Sequence, residues 1–155
     1  MGGVPKPLLF LAQTLSEIGR GELWLSTTEA WSATYAKAFC VPQILDPGRG
    51  PARALRAAAD GVRAPWILLV GGDQIIDAAL VATMRAALTP DLDAIVPARD
   101  RPLPGLYRAQ AVRDLEVEDD AALKQVVARL RVLELPAIRV ADVNTWADYI
   151  PSKPV

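Results

Sequence analysis

The sequence predicts an α/β domain in which parallel strands are joined by crossover helices. Short β-rich runs alternate with helix-like segments along the chain. One run, WILLV at residues 66–70, is apolar throughout, as expected for a central strand covered by helices on both faces. With 155 residues, the chain has the length of one ordinary domain, and we expect a single domain over residues 1–155.

The β-rich runs predict strands at residues 22–26, 41–45, 65–70, 93–96 and 132–140. The last run differs from the others because Glu134, Pro136 and Arg139 interrupt its apolar residues. Such interruptions are typical of an edge strand or a partly solvated strand.

Three helices are expected between these strands. The first covers residues 52–59 and ends at Asp60-Gly61. The second begins with Asp77 as a cap, and the third has Asp119 and Asp120 near its positive end. The second and third are predicted from apolar residues at helical spacing, namely Ile76, Leu80, Met84 and Leu88, and Leu123, Val126, Val127 and Leu130.

Composition excludes several kinds of site and partner. The chain has no histidine and one cysteine, Cys40, which excludes an internal disulfide, a Cys/His zinc site and Cys-His or Ser-His catalytic pairs. Any metal must then be a hard cation held by oxygen. A net charge of −1 provides no basic surface for nucleic acid, and no run approaches the roughly 20 apolar residues of a membrane span. Without a secretory signal pattern, we expect a cytoplasmic monomer or small homo-oligomer that binds neither nucleic acid nor membrane.

The leading candidate for chemistry is Asp73, in the segment GGDQ at residues 71–74. This segment follows the apolar run and precedes a helix, so it should lie at the carboxyl end of a strand, where open α/β sheets bind ligands. A carboxylate there can hold Mg²⁺, and the adjacent glycines allow the backbone to approach a ligand. The alternative is an aspartate that only caps the following helix.

Two further segments carry weaker signals. Lys6, close to Gly2 and Gly3, could contact a phosphate, although a lysine near a terminus is usually just solvated. Asp142 and Asn144 follow the last predicted strand. Their oxygens could complete a hard-cation or ribose site, or the segment could be an ordinary turn.

Taken in order, four motifs resemble the molybdenum cofactor guanylyltransferases and their nucleotidyltransferase relatives. MGGVPKPLL at residues 1–9 resembles the end of that family's signature loop, and GDQ at 72–74 resembles its metal-binding segment. LPGLYR at 103–108 resembles a later PLxxLYR motif, and DVNTWAD at 142–148 resembles the closing NVNTPED. The resemblance spans nearly the whole chain and implies a Rossmann-like three-layer α/β/α nucleotidyltransferase fold with a mostly parallel sheet.

The resemblance also implies an activity and the residues that perform it. GMP would pass from GTP to a molybdopterin-type cofactor, whose terminal phosphate attacks the α-phosphate while pyrophosphate leaves. Alignment and charge neutralisation promote such a reaction, so it needs no histidine. The nucleotide-binding residues would be Gly2, Gly3 and Lys6, the catalytic residues Lys6 and Asp73, and the Mg²⁺ ligands Asp73, Asn144 and Asp142.

The chain departs from the family pattern in ways that keep other functions open. It lacks the first strand and the LAGG stretch with its following arginine. The two flanking strands could pair directly, residues 6–11 could fill the gap, or the native protein could extend upstream, and we expect the last of these. Ile75 and Trp146 stand where the family has proline. One alternative is a non-catalytic nucleotide-binding or accessory domain on the same scaffold. The other is a related nucleotidyltransferase that uses another nucleotide or acceptor.

Overall fold

The structure, a computed structural model, describes residues 25–27, 43–45, 50–71, 74–76, 78–136 and 141–142. Within these ranges the helices are α1 (Pro51–Gly61), α2 (Ala78–Ala86), α3 (Ala109–Arg113) and α4 (Leu123–Ala128). The strands are β1 (Leu25–Thr27), β2 (Gln43–Leu45), β3 (Trp66–Leu69), β4 (Gln74–Ile75), β5 (Ala94–Val96), β6 (Gly105–Arg108), β7 (Val132–Glu134) and β8 (Ala141–Asp142).

A four-stranded sheet in the order β3-β6-β5-β7 organises the described part of the chain. β5 and β7 pair in parallel, whereas β6 pairs antiparallel with both β3 and β5. The strands β3, β5 and β7 therefore run in one direction, and β6 runs in the other. Two shorter pairs accompany this sheet: β1 with β2 in parallel, and β4 with β8 antiparallel.

Helices cover both faces of the sheet. Successive side chains of a strand point to opposite faces. In β5, Ala94 and Val96 pack into one hydrophobic cluster with residues of α1, α3 and α4. Ile95 packs on the other face in a second cluster that contains Met84 of α2. The predicted α/β fold class is confirmed, with the sheet between two helical layers.

The start of α1 shows how local sequence sets a helix boundary. Gly50 has a φ of 87°, a left-handed conformation that suits glycine, and Pro51 occupies the first helical turn, where its missing N–H removes no hydrogen bond. The helix then buries Ala52, Leu55 and Ala59 along one side. None of the described helices is both long and apolar enough to cross a membrane.

Residues 66–69 of the apolar run form β3, and both faces of this strand are covered as predicted. Ile67 and Leu69 pack against the first cluster, while Trp66 and Leu68 pack against the second. Among the described strands, β3 lies at one end of the four-stranded sheet and is half-buried. β5 is the fully buried strand. Covering on both faces accounts for the apolar run.

The other predicted elements also have counterparts, with shifted boundaries. The strands predicted at 22–26, 41–45, 93–96 and 132–140 overlap β1, β2, β5 and β7, and β7 lies at the other end of the described sheet. α4 begins at Leu123, so Asp119 and Asp120 lie before its first turn. The Gln125 side chain instead accepts a hydrogen bond from the Ala122 N–H at 2.6 Å. Asp77 and Cys40 lie outside the described residues.

Candidate functional site

The candidate site lies at the edge of the sheet where β3, β5 and β7 end. Because β6 runs the other way, it begins at this same edge, and Gly105 pairs with Leu69, the last residue of β3. Three connections therefore start or finish here: the segment after β3, the loop of residues 97–104 between β5 and β6, and the chain after β7. Open α/β sheets bind their ligands at such an edge.

Two hydrogen bonds join Gly71 and Gln74 after β3. The Gln74 backbone N–H donates to the Gly71 carbonyl at 3.1 Å, and the Gly71 N–H donates to the Gln74 side-chain oxygen at 3.0 Å. Both the N–H and the carbonyl of Gly71 are therefore hydrogen-bonded to Gln74. In the sequence, Asp73 lies between these two residues, and it is outside the described part of the chain.

Gln74 also connects this segment to two distant parts of the chain. Its side-chain NH₂ donates to the carbonyl of Leu103 at 3.2 Å. Its backbone pairs with that of Asp142 in the antiparallel β4–β8 ladder, and Ile75 pairs with Ala141. Three segments therefore meet at Gln74: the one after β3, the one before β6, and β8.

Tyr107 of β6 fixes the loop between β5 and β6 through a hydrogen bond. The Tyr107 ring is fully buried, and its hydroxyl donates to the Pro102 carbonyl at 2.7 Å. Burial raises the pKa of Tyr107 above its ordinary value, so the hydroxyl keeps its proton and remains a donor. Gly105 lies close to the same carbonyl, and a β-carbon at this position would be 2.5 Å from the Pro102 oxygen. Glycine is therefore the residue that this packing accepts.

An ion pair attaches the same loop to β7. The Arg99 N–H and the Arg99 Nε each donate to the Glu134 carboxylate at 3.2 Å. The Arg101 N–H donates to the Ala98 carbonyl at 3.1 Å, which closes a turn. Arg99 and Arg101 are exposed on this turn, and the carboxylates of Glu134 and of the exposed Asp100 balance their charge.

The opposite edge of the sheet carries Arg108, the last residue of the LPGLYR motif. Its guanidinium donates to the Leu92 carbonyl at 2.8 and 2.6 Å and to the Pro90 carbonyl at 2.8 Å, and also lies 4.7 Å from the centre of the Trp66 ring. These contacts hold the chain that enters β5 against β3 and β6. Arg108 is thus a structural residue at the edge remote from the candidate site.

Asp93 anchors the same remote edge. Its carboxylate is mostly buried and accepts hydrogen bonds from the Arg131 guanidinium at 2.8 Å and from the Arg131 backbone N–H at 3.1 Å. The bonds from the Arg131 side chain are the main reason that the pKa of Asp93 lies below its ordinary value, although burial opposes them. This carboxylate is therefore committed to a structural pair.

Of the residues predicted for the site, only Asp142 lies in the described part of the chain, where it belongs to β8. Among the described residues, no group of three or more acidic, cysteine or histidine side chains is arranged to hold a metal. The sequence argument did not assign a role to Gln74 or to the Leu103 carbonyl, although both residues belong to motifs that it used. The remaining predicted residues, Gly2, Gly3, Lys6, Asp73 and Asn144, lie outside the described residues.

Comparison with solved structures shows which known folds the chain shares. HddC from Yersinia pseudotuberculosis superimposes with a TM-score of 0.68 at 13% identity, over 96% of this chain and 88% of HddC. The chain shares the fold of HddC. HddC complexed with GMP-PN gives a TM-score of 0.67 at 13% identity over the same shares of both chains. Aq1419 from Aquifex aeolicus VF5 gives 0.58 at 13% identity, over 88% of this chain and 81% of that protein. No protein-family model and no curated protein matches the sequence.

Proposed function

We propose that this chain is a nucleotidyltransferase that transfers GMP from GTP to a molybdopterin-type cofactor and releases pyrophosphate. The pairing of β4 with β8 carries the proposal. Asp73 immediately precedes Gln74, and Asn144 follows Asp142 by two residues, so this pairing joins the two segments that carry the proposed metal ligands. They meet at the edge of the sheet where an α/β fold of this kind binds ligands.

The shared fold supports a nucleotide as the ligand class. HddC, whose fold this chain shares, forms a complex with GMP-PN. The choice of GTP and of a molybdopterin-type acceptor comes from the resemblance of the motifs, in which Gly2, Gly3 and Lys6 belong to the segment that contacts the triphosphate.

The proposed donor set fits Mg²⁺. Asp73, Asp142 and Asn144 offer only oxygen atoms, which hard cations prefer, and the chain has no histidine and one cysteine to favour a softer metal. When bound, Mg²⁺ would neutralise charge on the phosphate oxygens. The role of the protein is then to hold two phosphates in line, with Lys6 adding positive charge to the nucleotide.

The reaction needs no redox partner. A terminal phosphate oxygen of the acceptor forms a bond to the α-phosphorus of GTP, and the bond from that phosphorus to the oxygen bridging to the β-phosphate breaks. Pyrophosphate leaves with that oxygen. The attacking phosphate is already ionised at neutral pH, so no side chain has to remove a proton from it.

A pyrophosphate-release assay with each of the four nucleoside triphosphates tests the proposal. We expect release with GTP only when the molybdopterin-type cofactor and Mg²⁺ are present. Asp73→Asn should lower kcat/KM by about 100-fold or more, because it removes a charge from the centre of the site. Asp120→Asn removes one charge at an exposed position and should leave the rate unchanged.

The other outcomes identify the alternatives. GTP binding without release of pyrophosphate from GTP, whichever acceptor is added, would indicate a non-catalytic nucleotide-binding domain. Release from another nucleotide, or with another phosphate-bearing acceptor, would indicate a related nucleotidyltransferase. Calorimetry that shows the same Mg²⁺–GTP affinity in Asp73→Asn and the unmodified chain would remove Asp73 from the site.

A further inference from the structure

We propose that Gln74 is a positioning residue that ties the segment carrying Asp73 to the loop of residues 97–104. The kinetic part of this inference rests on the proposed function, whereas its structural part does not. The Gln74 side chain accepts from the Gly71 N–H at 3.0 Å and donates to the Leu103 carbonyl at 3.2 Å. It is partly buried, so water competes only weakly for these two bonds.

The contact needs an amide of this length. Gly71 presents an N–H and Leu103 presents a carbonyl oxygen, so the side chain between them must accept at one end and donate at the other. Asparagine is shorter by one methylene group, and glutamate has two acceptors and no donor when ionised. A glutamate would keep the bond from Gly71 and place its second oxygen against the Leu103 carbonyl. Methionine has a similar length, but it has no donor for Leu103 and offers Gly71 only a weakly accepting sulfur.

The loop that receives this contact is itself fixed to the core. Tyr107 binds the Pro102 carbonyl one residue before Leu103, and Arg99 binds Glu134 of β7. Gln74 therefore attaches the segment after β3 to a loop anchored at two other points. The same residue pairs with Asp142 through its backbone, so one side chain sets the distance between the loop and the paired segments.

Loss of this tie should affect catalysis more than substrate binding. Small displacements of the groups around the phosphate lower the rate of in-line transfer. The nucleotide would keep its own contacts, so its binding should change little. We expect Gln74→Met to lower kcat by about 10–100-fold, as is common for residues that orient a metal ligand, with the KM for GTP within about threefold. The Mg²⁺ concentration that gives half-maximal rate should rise. Gln74→Glu should lower kcat as well, because it loses the bond to Leu103.

Amide hydrogen exchange in the ligand-free full chain tests the structural part separately. The Gly71 N–H should exchange at least about tenfold faster in Gln74→Met, which replaces its acceptor oxygen with a weakly accepting sulfur, and should stay protected in Gln74→Glu, which keeps an acceptor oxygen. Gln110→Met is the matched control because Gln110 is exposed on α3, where its side chain bonds to Asp114 and Arg113 of the same segment. It should change neither exchange at Gly71 nor kcat.

The possible results separate the two proposals. A chain with no pyrophosphate release overturns the proposed function, and the exchange data alone then decide whether Gln74 ties the segments. Unchanged exchange at Gly71 in Gln74→Met overturns the tie. Faster exchange with unchanged kcat in an active enzyme overturns the positioning role. If Gln74→Met fails to fold, Gln74→Glu provides the kinetic measurement, and full activity in that variant rejects the proposal.

Discussion

Replacing Arg108 with lysine should destabilise the fold without altering the candidate site. The Arg108 guanidinium reaches the carbonyls of Leu92, Pro90 and Thr89 and lies over the Trp66 ring, whereas a lysine ammonium on a flexible stem can retain about one of these carbonyls. The contacts with two of the three carbonyls are then lost, at about 0.5–1.5 kcal/mol each. Weakening of the ring contact adds about 0.5 kcal/mol.

The free energy of unfolding should fall by about 2 kcal/mol, which lies within the range of these contributions taken together. A larger loss is not expected because the Arg108 side chain is 28% exposed and water replaces part of its contacts. A domain of this size is stabilised by about 5–15 kcal/mol, so the change is easily measured. With a urea slope of about 2 kcal/mol per molar, the unfolding midpoint should fall by about 1 M.

Urea unfolding followed by tryptophan fluorescence provides the measurement, with Arg85→Lys at an exposed position of α2 as the control. The control should change the free energy of unfolding by less than about 0.5 kcal/mol. GTP binding by folded Arg108→Lys should match that of the unmodified chain. A variant with an unchanged midpoint and lost GTP binding would refute the structural assignment and make Arg108 a ligand-contacting residue.

Three further predictions concern the packing around β6 and the remote edge. Tyr107→Phe removes the hydroxyl bonded to the Pro102 carbonyl and should cost about 1–3 kcal/mol of unfolding free energy; an unchanged urea midpoint would show that the carbonyl finds another donor. Gly105→Ala places a carbon 2.5 Å from the Pro102 oxygen and should cost about 1–3 kcal/mol, which differential scanning calorimetry would register as a lower Tm. The pKa of Asp93 is lowered in the folded state, so its contribution is complete above its unfolded value of about 4 and is lost as pH falls through the folded value. Urea midpoints below about pH 4 should therefore fall less steeply in Asp93→Asn than in the unmodified chain, and equal slopes would contradict the pairing with Arg131.

The sequence was sufficient to predict the strands and helices whose residue types are determined by burial in the core. β5 and α4 were predicted because apolar side chains at the right spacing fill the core, and these residues are buried in the structure. β6 was not predicted as a strand because prolines precede its four residues, and nothing in a short run reveals that it pairs antiparallel between two parallel strands. β4 has two residues, too few for any periodicity.

The sequence predicted where the candidate site lies, but it did not predict the contacts within it. Placement of GGDQ after an apolar strand identified the carboxyl edge, and β4 begins at the last residue of that segment. The contact of Gln74 with Leu103 joins residues 29 positions apart and depends on the direction of β6, so no local pattern contains it. The roles of Lys6, Asp73 and Asn144 remain predictions.

The reversed direction of β6 means that four consecutive residues cross the sheet from one edge to the other. Gly105 lies beside the candidate site, and Arg108 lies roughly 10 Å along the strand at the remote edge. In a saturation mutagenesis scan, neighbouring positions of the motif should therefore give different phenotypes. Substitutions at position 108 should lower cellular abundance and enzymatic output in proportion, whereas substitutions at position 105 should lower output by more than the loss of abundance accounts for.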